Sequence, residues 1–356
     1  MIEALKELYY RFFIARKSGL LPDEPDERDF DIENLGGWGK PYEPKHKRQE
    51  IKTLSVKNQK GLYTCVMNAT TIQKEIDESV VLSVRSLVTY AVKNRLCGYK
   101  GLSSLRNNQK MIKDWGIQTE DQIPDVDKNN WNKYVGITLN DVQAGEHKSK
   151  TYWNVKKRDD ILKLLDGGRP IVSAMDWYSG WNRSRLPSNG LITGYIGYSV
   201  GGHSIIRIGY DMDYNGRKVY IFQNSYSGDY GVKTDVNPNG GIFYVDMDFA
   251  DRVMFPSYVN LDVDKDLGKL VTTLSYKNVM SYDSNAVYMV YAGKKHVYKD
   301  MDTYVMYNTS EKVTFGNILK IPQVDLDLIP EGDPMNKELS KHFKYYDKLV
   351  KPVKYK

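Results

Sequence analysis

Cys65 lies in KNQKGLYTCVMNAT (residues 57–70), six residues after Gln59, with Gly61 between them. The helical pattern that follows places this cysteine at a helix start. The thiolate is the nucleophilic form of cysteine, and a helix N-terminus favours negative charge through its unpaired N–H groups and its dipole. The Cys65 backbone N–H is unpaired at such a position, so with the Gln59 amide it can cradle a developing oxyanion. Gly61 allows the tight turn between them. His203 follows Gly201 and Gly202 in GGHSIIRIGYD (201–211), immediately before a predicted strand, and the two glycines leave room for a substrate backbone beside the ring. Asn224 follows another predicted strand in FQNSYSGDYG (222–231). An amide there can accept from one ring nitrogen of His203, set its tautomer and leave the other nitrogen for Cys65. These residue types suit nucleophile, base and orienter.

The elements that must hold them follow from periodicity. Cys65, Ala69, Ile72 and Ile76 share one helix face, with Thr64 placed to cap. A second helix is predicted from Ser83 to about Leu96, and a third from Ser103 to a stop at Gly116. Asp159–Leu165 is a short helix ended by Gly167 and Gly168, while residues 120–156 have no readable period. The runs 170–177, 204–211, 218–223 and 241–246 are rich in β-formers and bounded by turn residues. Helices first and strands later predict an α+β fold with a helical lobe and an antiparallel β lobe.

The ordered set of motifs resembles the papain-like cysteine peptidases, in their bacterial or phage-type form. It comprises DERDF (26–30), Q-x-G-x-x-x-C from Gln59, C-x-x-N-A from Cys65, GGH at 201–203, IGYD at 208–211 and Asn224-Ser225-Tyr226. GLSSLRNNQKMIKDWGI (101–117) and DDILKLLDGGRPIVSAMD (159–176) resemble the helices and strand of such members. The resemblance spans roughly residues 21 to 250. It implies a two-lobed papain-like fold and a cysteine endopeptidase with Cys65, His203 and Asn224 as the catalytic three. Gln59 becomes the oxyanion amide, and Gly201, Gly202, Ala174 and Ser204 line the substrate site. No cofactor is implied. Val66, Tyr226 and Leu62 depart from the pattern, the last standing where many members have a disulfide cysteine. Only about 20 residues precede the acidic segment, fewer than the usual inhibitory prodomain. A competing expectation is a structural or binding protein, a virion or cell-surface component on the same scaffold.

The remaining reactive residue types read as structural. Cys97 is expected in the core, and His46, His147, His296 and His342 in solvent, since all four sit in Lys-rich polar stretches. Glu120 and Asp121 read as surface or cap carboxylates. No cysteine or histidine spacing suits zinc, so no metal is expected.

The organisation expected is an amphipathic helix over 1–20, a peptidase domain over 21–256, a small β-rich module over 257–340 and a basic tail over 341–356. Within the module, AVYMVY and KKHVY form a hairpin turned at Ala292-Gly293. The tail has six lysines against one aspartate and can contact a larger assembly. With 51 Lys and Arg against 45 Asp and Glu, the net charge of +6 does not argue for nucleic acid. No apolar run of membrane-spanning length and no signal-peptide pattern occur. A cytoplasmic or virion-associated setting is favoured, with a peptide or protein as partner.

Overall fold

The computed structural model describes residues 41–137, 145–149, 151–182, 184–255 and 257–261, a few positions before them (19–21, 23, 31–32 and 38) and parts of 278–335. The expected helix over 1–20 (save Gly19 and Leu20), the DERDF segment and the basic tail lie outside the described residues. The chain forms two compact units, the first reaching Asp262 and the second taking up at Val263.

The first unit is mixed α+β, with its helices mostly preceding its sheet. Strand β1 (Arg48–Glu50) is followed by α1 (Cys65–Glu78), α2 (Val84–Lys93), α3 (Leu105–Asp114) and α4 (Trp131–Val135). Then come β2 (Thr151–Val155), α5 (Arg158–Asp166), β3 (Ile171–Tyr178) and β4 (Leu191–Ile192). Last are β5 (Ser199–Tyr214), β6 (Arg217–Gln223), β7 (Ile242–Asp246), α6 (Met247–Val253) and β8 (Ser257–Leu261). The sheet runs β2-β8-β3-β5-β6-β7-β4, with β1 also on β5. β8 pairs with both β2 and β3, so the first unit continues past the boundary expected at residue 256. β1 falls in a stretch expected as loop. Its backbone lies so close to β5 that a side chain at Gly209 would begin 2.1 Å from the Gln49 carbonyl.

Helices α2 and α3 pack Leu87, Val88, Met111 and Ile112 against Met67 of α1 and Tyr134 of α4. Each such burial contributes about 1.5–3 kcal/mol. Ser83 caps α2 through the Ser86 N–H, and Ser104, one residue after the predicted start, caps α3 through the Asn107 N–H. Helix α1 is buried on nearly all sides, polar residues included. Its Gln73 Nε2 donates to the carbonyls of Pro170 (2.9 Å) and Tyr258 (3.0 Å), tying the helix to the sheet.

An ion cluster, with Lys57 and Glu75 buried and Glu120 partly exposed, joins α1 to the chain on either side. Lys57 Nζ lies 2.6 Å from Glu75 and 2.9 Å from Glu120, and donates to the Leu82 carbonyl at 2.9 Å. Glu120 is therefore an ion-pair partner. Lys57→Met leaves the Glu75 carboxylate buried without its cation and is expected to destabilise the protein by about 3–5 kcal/mol. The double variant Lys57→Met/Glu75→Leu is expected to recover most of that loss. Urea unfolding of the three proteins checks both statements.

The second unit holds a four-stranded sheet of β9 (Asn278–Ser281), β10 (Val287–Tyr291), β11 (Lys294–Val297) and β12 (Leu319–Ile321), in the order β11-β10-β9-β12. β10 and β11 form the expected hairpin, closing at Tyr291 opposite Lys294, with the turn residues outside the described set. His296 is buried on β11, not solvated as expected: it stands opposite Met289 of β10, and its neighbour Lys295 is buried too, so both faces of this strand are covered.

Candidate active site

Cys65 is the first residue of α1. Thr64 precedes it but makes no side-chain cap; its Oγ1 instead accepts from Asn68 Nδ2 at 3.0 Å. The backbone amides of Ser204, Val66 and Cys65 itself lie close enough to the thiol to favour its charged form. The Ser204 amide brings Cys65 to the strand that carries His203. That strand, β5, begins four residues before His203, so the ring sits within it rather than ahead of it, opposite Met175 of β3.

His203 Nε2 donates to Asn224 Oδ1 at 2.9 Å. The same oxygen accepts from the Ser225 N–H at 2.8 Å, which fixes the orientation of the amide. With Nε2 carrying the proton, Nδ1 is the acceptor nitrogen of the neutral ring, 3.5 Å from the Tyr226 hydroxyl. The ring lies between aromatics: Tyr226 stacks on it at 4.8 Å and Trp177 meets it edge-on at 4.7 Å. Asn224 follows β6 directly and is tied to the neighbouring segment through its N–H, 2.9 Å from the Gly241 carbonyl.

Gln59 is brought to the same place by backbone pairing. Its N–H donates to Ser225 O at 2.9 Å, and Asn58 bridges Tyr226. Its Oε1 accepts from Ser225 Oγ at 2.7 Å, and its Nε2 donates one hydrogen to Leu62 O at 3.0 Å. Ser225 thus links Gln59 to Asn224, a role the sequence reading missed. The Asn-Ser pair was visible there as a motif only. Trp177 falls in the 170–177 strand run, with no local signal for its place against the ring.

The expectation of a low thiol pKa is not met in this arrangement. Cys65 is 0% exposed, and burial pushes its pKa up to about 12, outweighing the three amides. His203 is also 0% exposed. Part of this closure comes from the chain itself. Leu21 N–H donates to Ser103 O at 2.8 Å, and Ser103 N–H to Gly19 O at 3.2 Å, so Gly19–Leu21 runs parallel to the Ser103 segment. Leu20 is buried, its side chain 2.9 Å from where a side chain on Gly202 would begin. The room over Gly202, next to His203 in the chain, is thus taken by Leu20. Ala174 and Ser204 are paired across β3 and β5 and both fully buried, and Ser204 Oγ donates to Ser173 O at 3.2 Å. They present no open wall in this closed arrangement.

Cys97 is half-buried against the helical core, and burial likewise pushes its thiol up to about 12. Among the described residues, no group of three His, Cys, Asp or Glu is placed to hold a metal ion. No described helix is long and apolar enough to cross a membrane.

No family model matches the sequence. No curated protein matches it either. Solved structures do. The digestive procathepsin L 3 of Tenebrio molitor matches with a TM-score of 0.46, 16% identity and coverage of 66% of this chain and 76% of its own. Procathepsin B of Trypanosoma congolense matches with a TM-score of 0.47, 11% identity and coverage of 69% and 86%. Xylellain, a cysteine protease from Xylella fastidiosa, matches with a TM-score of 0.51 and 17% identity over 68% of this chain and 95% of its own. At that identity the likeness is one of fold: the chain folds like the papain-like cysteine proteases.

Proposed function

We propose that the chain is a cysteine peptidase held closed by its own N-terminal segment. The observation that carries this reading is the His203–Asn224 bond, 2.9 Å long, which puts a proton on Nε2 of the residue next to Ser204, whose backbone amide favours the charged form of the Cys65 thiol. A peptide entering over Gly201 and Gly202 brings its carbonyl carbon to Cys65 Sγ. The thiol proton passes to His203 Nδ1 as sulfur adds to the carbonyl. The oxyanion is held by the Cys65 N–H and the second hydrogen of Gln59 Nε2. His203 then gives its proton to the leaving amine as the C–N bond breaks. Water, deprotonated by His203, cleaves the thioester. Asn224 holds the ring in the tautomer that both transfers need, and Ala174 and Ser204 flank the bound residue once the cleft opens.

The competing reading is a non-catalytic peptide-binding protein on the same fold. The full burial of Cys65 and His203 favours it. Hydrolysis of a quenched-fluorescence peptide library decides between them. The peptidase reading expects turnover that Cys65→Ser abolishes, whereas binding without turnover by the opened protein overturns it. Gln59→Ala is expected to lower kcat by about 10²–10³-fold with KM nearly unchanged, since the oxyanion exists only along the reaction path. Steady-state kinetics on any library substrate checks that split.

A further inference from the structure

Arg207 lies on β5, four residues past His203, and is 1% exposed. Its guanidinium carbon stands 4.2 Å from the Tyr220 ring centroid and 5.3 Å from that of Phe222. Nη2 donates to the Met254 thioether at 2.8 Å, while Nε and Nη1 meet no acceptor. Burial pulls its pKa down, yet arginine keeps its proton in proteins. Buried charges are ordinarily paired, and ring faces with one sulfur are a weak answer to a guanidinium. Asp251, on the same wall, is already engaged by Arg158 Nε at 2.6 Å and Tyr220 OH at 3.2 Å.

A cavity of about 280 Å³ opens on this group. Ile161, Met254 and Phe255 give it apolar walls; Lys156 also lines it with its ammonium paired to Asp31 at 3.0 Å, as does Asp251, whose carboxylate is engaged by Arg158 and Tyr220. None of Cys65, His203, Asn224 or Gln59 lines it. Its size lies just below the range of drug-sized ligand sites, so it suits a smaller molecule. We propose that this cavity binds a small organic carboxylate, its acid group on Arg207 and its short apolar tail along Ile161 and Phe255. The guanidinium fork matches a carboxylate in geometry and charge. The Met254 thioether, a weak acceptor, is what the carboxylate displaces.

The test uses the full chain with sodium butyrate, n-butanol and sodium chloride at equal concentrations, followed by calorimetric titration and thermal melting. Saturating butyrate is expected to raise Tm by roughly 5 °C, while butanol and chloride leave it unchanged. Arg207→Met is expected to lose the butyrate shift. Met254→Leu, of similar volume, is expected to bind butyrate several-fold more tightly because no thioether competes, and it decides the matter if Arg207→Met does not fold. No butyrate shift in the wild type, an equal shift with chloride or butanol, a shift kept by Arg207→Met, or unchanged or weaker binding by Met254→Leu would overturn the proposal.

Discussion

Replacing Gly19 by valine is expected to raise the rate at which iodoacetamide labels Cys65 at neutral pH by at least about tenfold. Gly19 has φ +91°, and a side chain there would begin 2.2 Å from the Tyr63 carbonyl oxygen. Valine tolerates neither the conformation nor the contact. The Gly19–Leu21 segment must then leave Ser103, and Leu20 must leave Gly202. Water reaches Cys65 and His203 as a result. Burial is the largest influence on the thiol, raising it to about 12, so solvation lowers the pKa toward the ordinary cysteine value. An acid raised by burial is neutral below its folded pKa. Lowering that pKa therefore extends the thiolate range downward and increases its fraction at pH 7. The labelling-rate profile should shift to lower pH by the same displacement. Leu20→Asp, which places a charge where the side chain is buried, is the independent variant. If both label at the wild-type rate across the pH range, the segment is not what closes the site.

The second large effect is at His203. In the Gly19→Val background, His203→Ala is expected to lower kcat/KM for peptide hydrolysis by about 10³-fold, within the usual range for a positioned general base. The ring both takes the thiol proton and returns it to the leaving amine, so neither exogenous base nor high pH restores the full rate. Asn224→Ala should act through the same ring. Loss of the 2.9 Å bond frees His203 to adopt the other tautomer, and the acid limb of the pH–rate profile should move. A merely structural role would lower folded protein and leave that limb in place. Circular dichroism and the pH profile together separate the two.

Much of this arrangement was legible in the sequence, for reasons that differ by element. Helix α1 and strands β3, β6 and β7 carry local patterns, and they form within one or two residues of expectation. Residues 120–156 were unreadable because their order comes from elsewhere in the chain. Helix α4 is five residues long and is held by Arg85, which donates to the carbonyls of Tyr134 and Lys133. Strand β2 pairs with β8, more than a hundred residues away in the chain. Strand β1 is three residues in a basic, turn-rich stretch, with too few positions for alternation to register.

The site divides in the same way. Cys65 and Asn224 were legible as candidates because each adjoins a patterned element, whereas His203 lies within β5 and Gln59 in an irregular segment, and both rested on the motifs around them. Their mutual contacts were not legible, since Ser225 joins Gln59 to Asn224 through bonds that no spacing encodes. The lowered thiol pKa was inferred from the helix terminus alone. Complete burial, a tertiary effect, reverses its sign here. The cover by Leu20 lay in a segment read for its length, and its parallel pairing with Ser103 became visible only in three dimensions.

In the proposed peptidase, everything turns on activation of Cys65 by His203. Its most direct measurement is stoichiometric labelling by a peptidyl epoxide at pH 7, read by intact mass in Gly19→Val and in Gly19→Val/His203→Ala. One adduct is expected, on Cys65 alone, formed far faster than on free cysteine and nearly absent in the double variant. Labelling of Cys65 at the rate of a free thiol, equal in the two proteins, would contradict it.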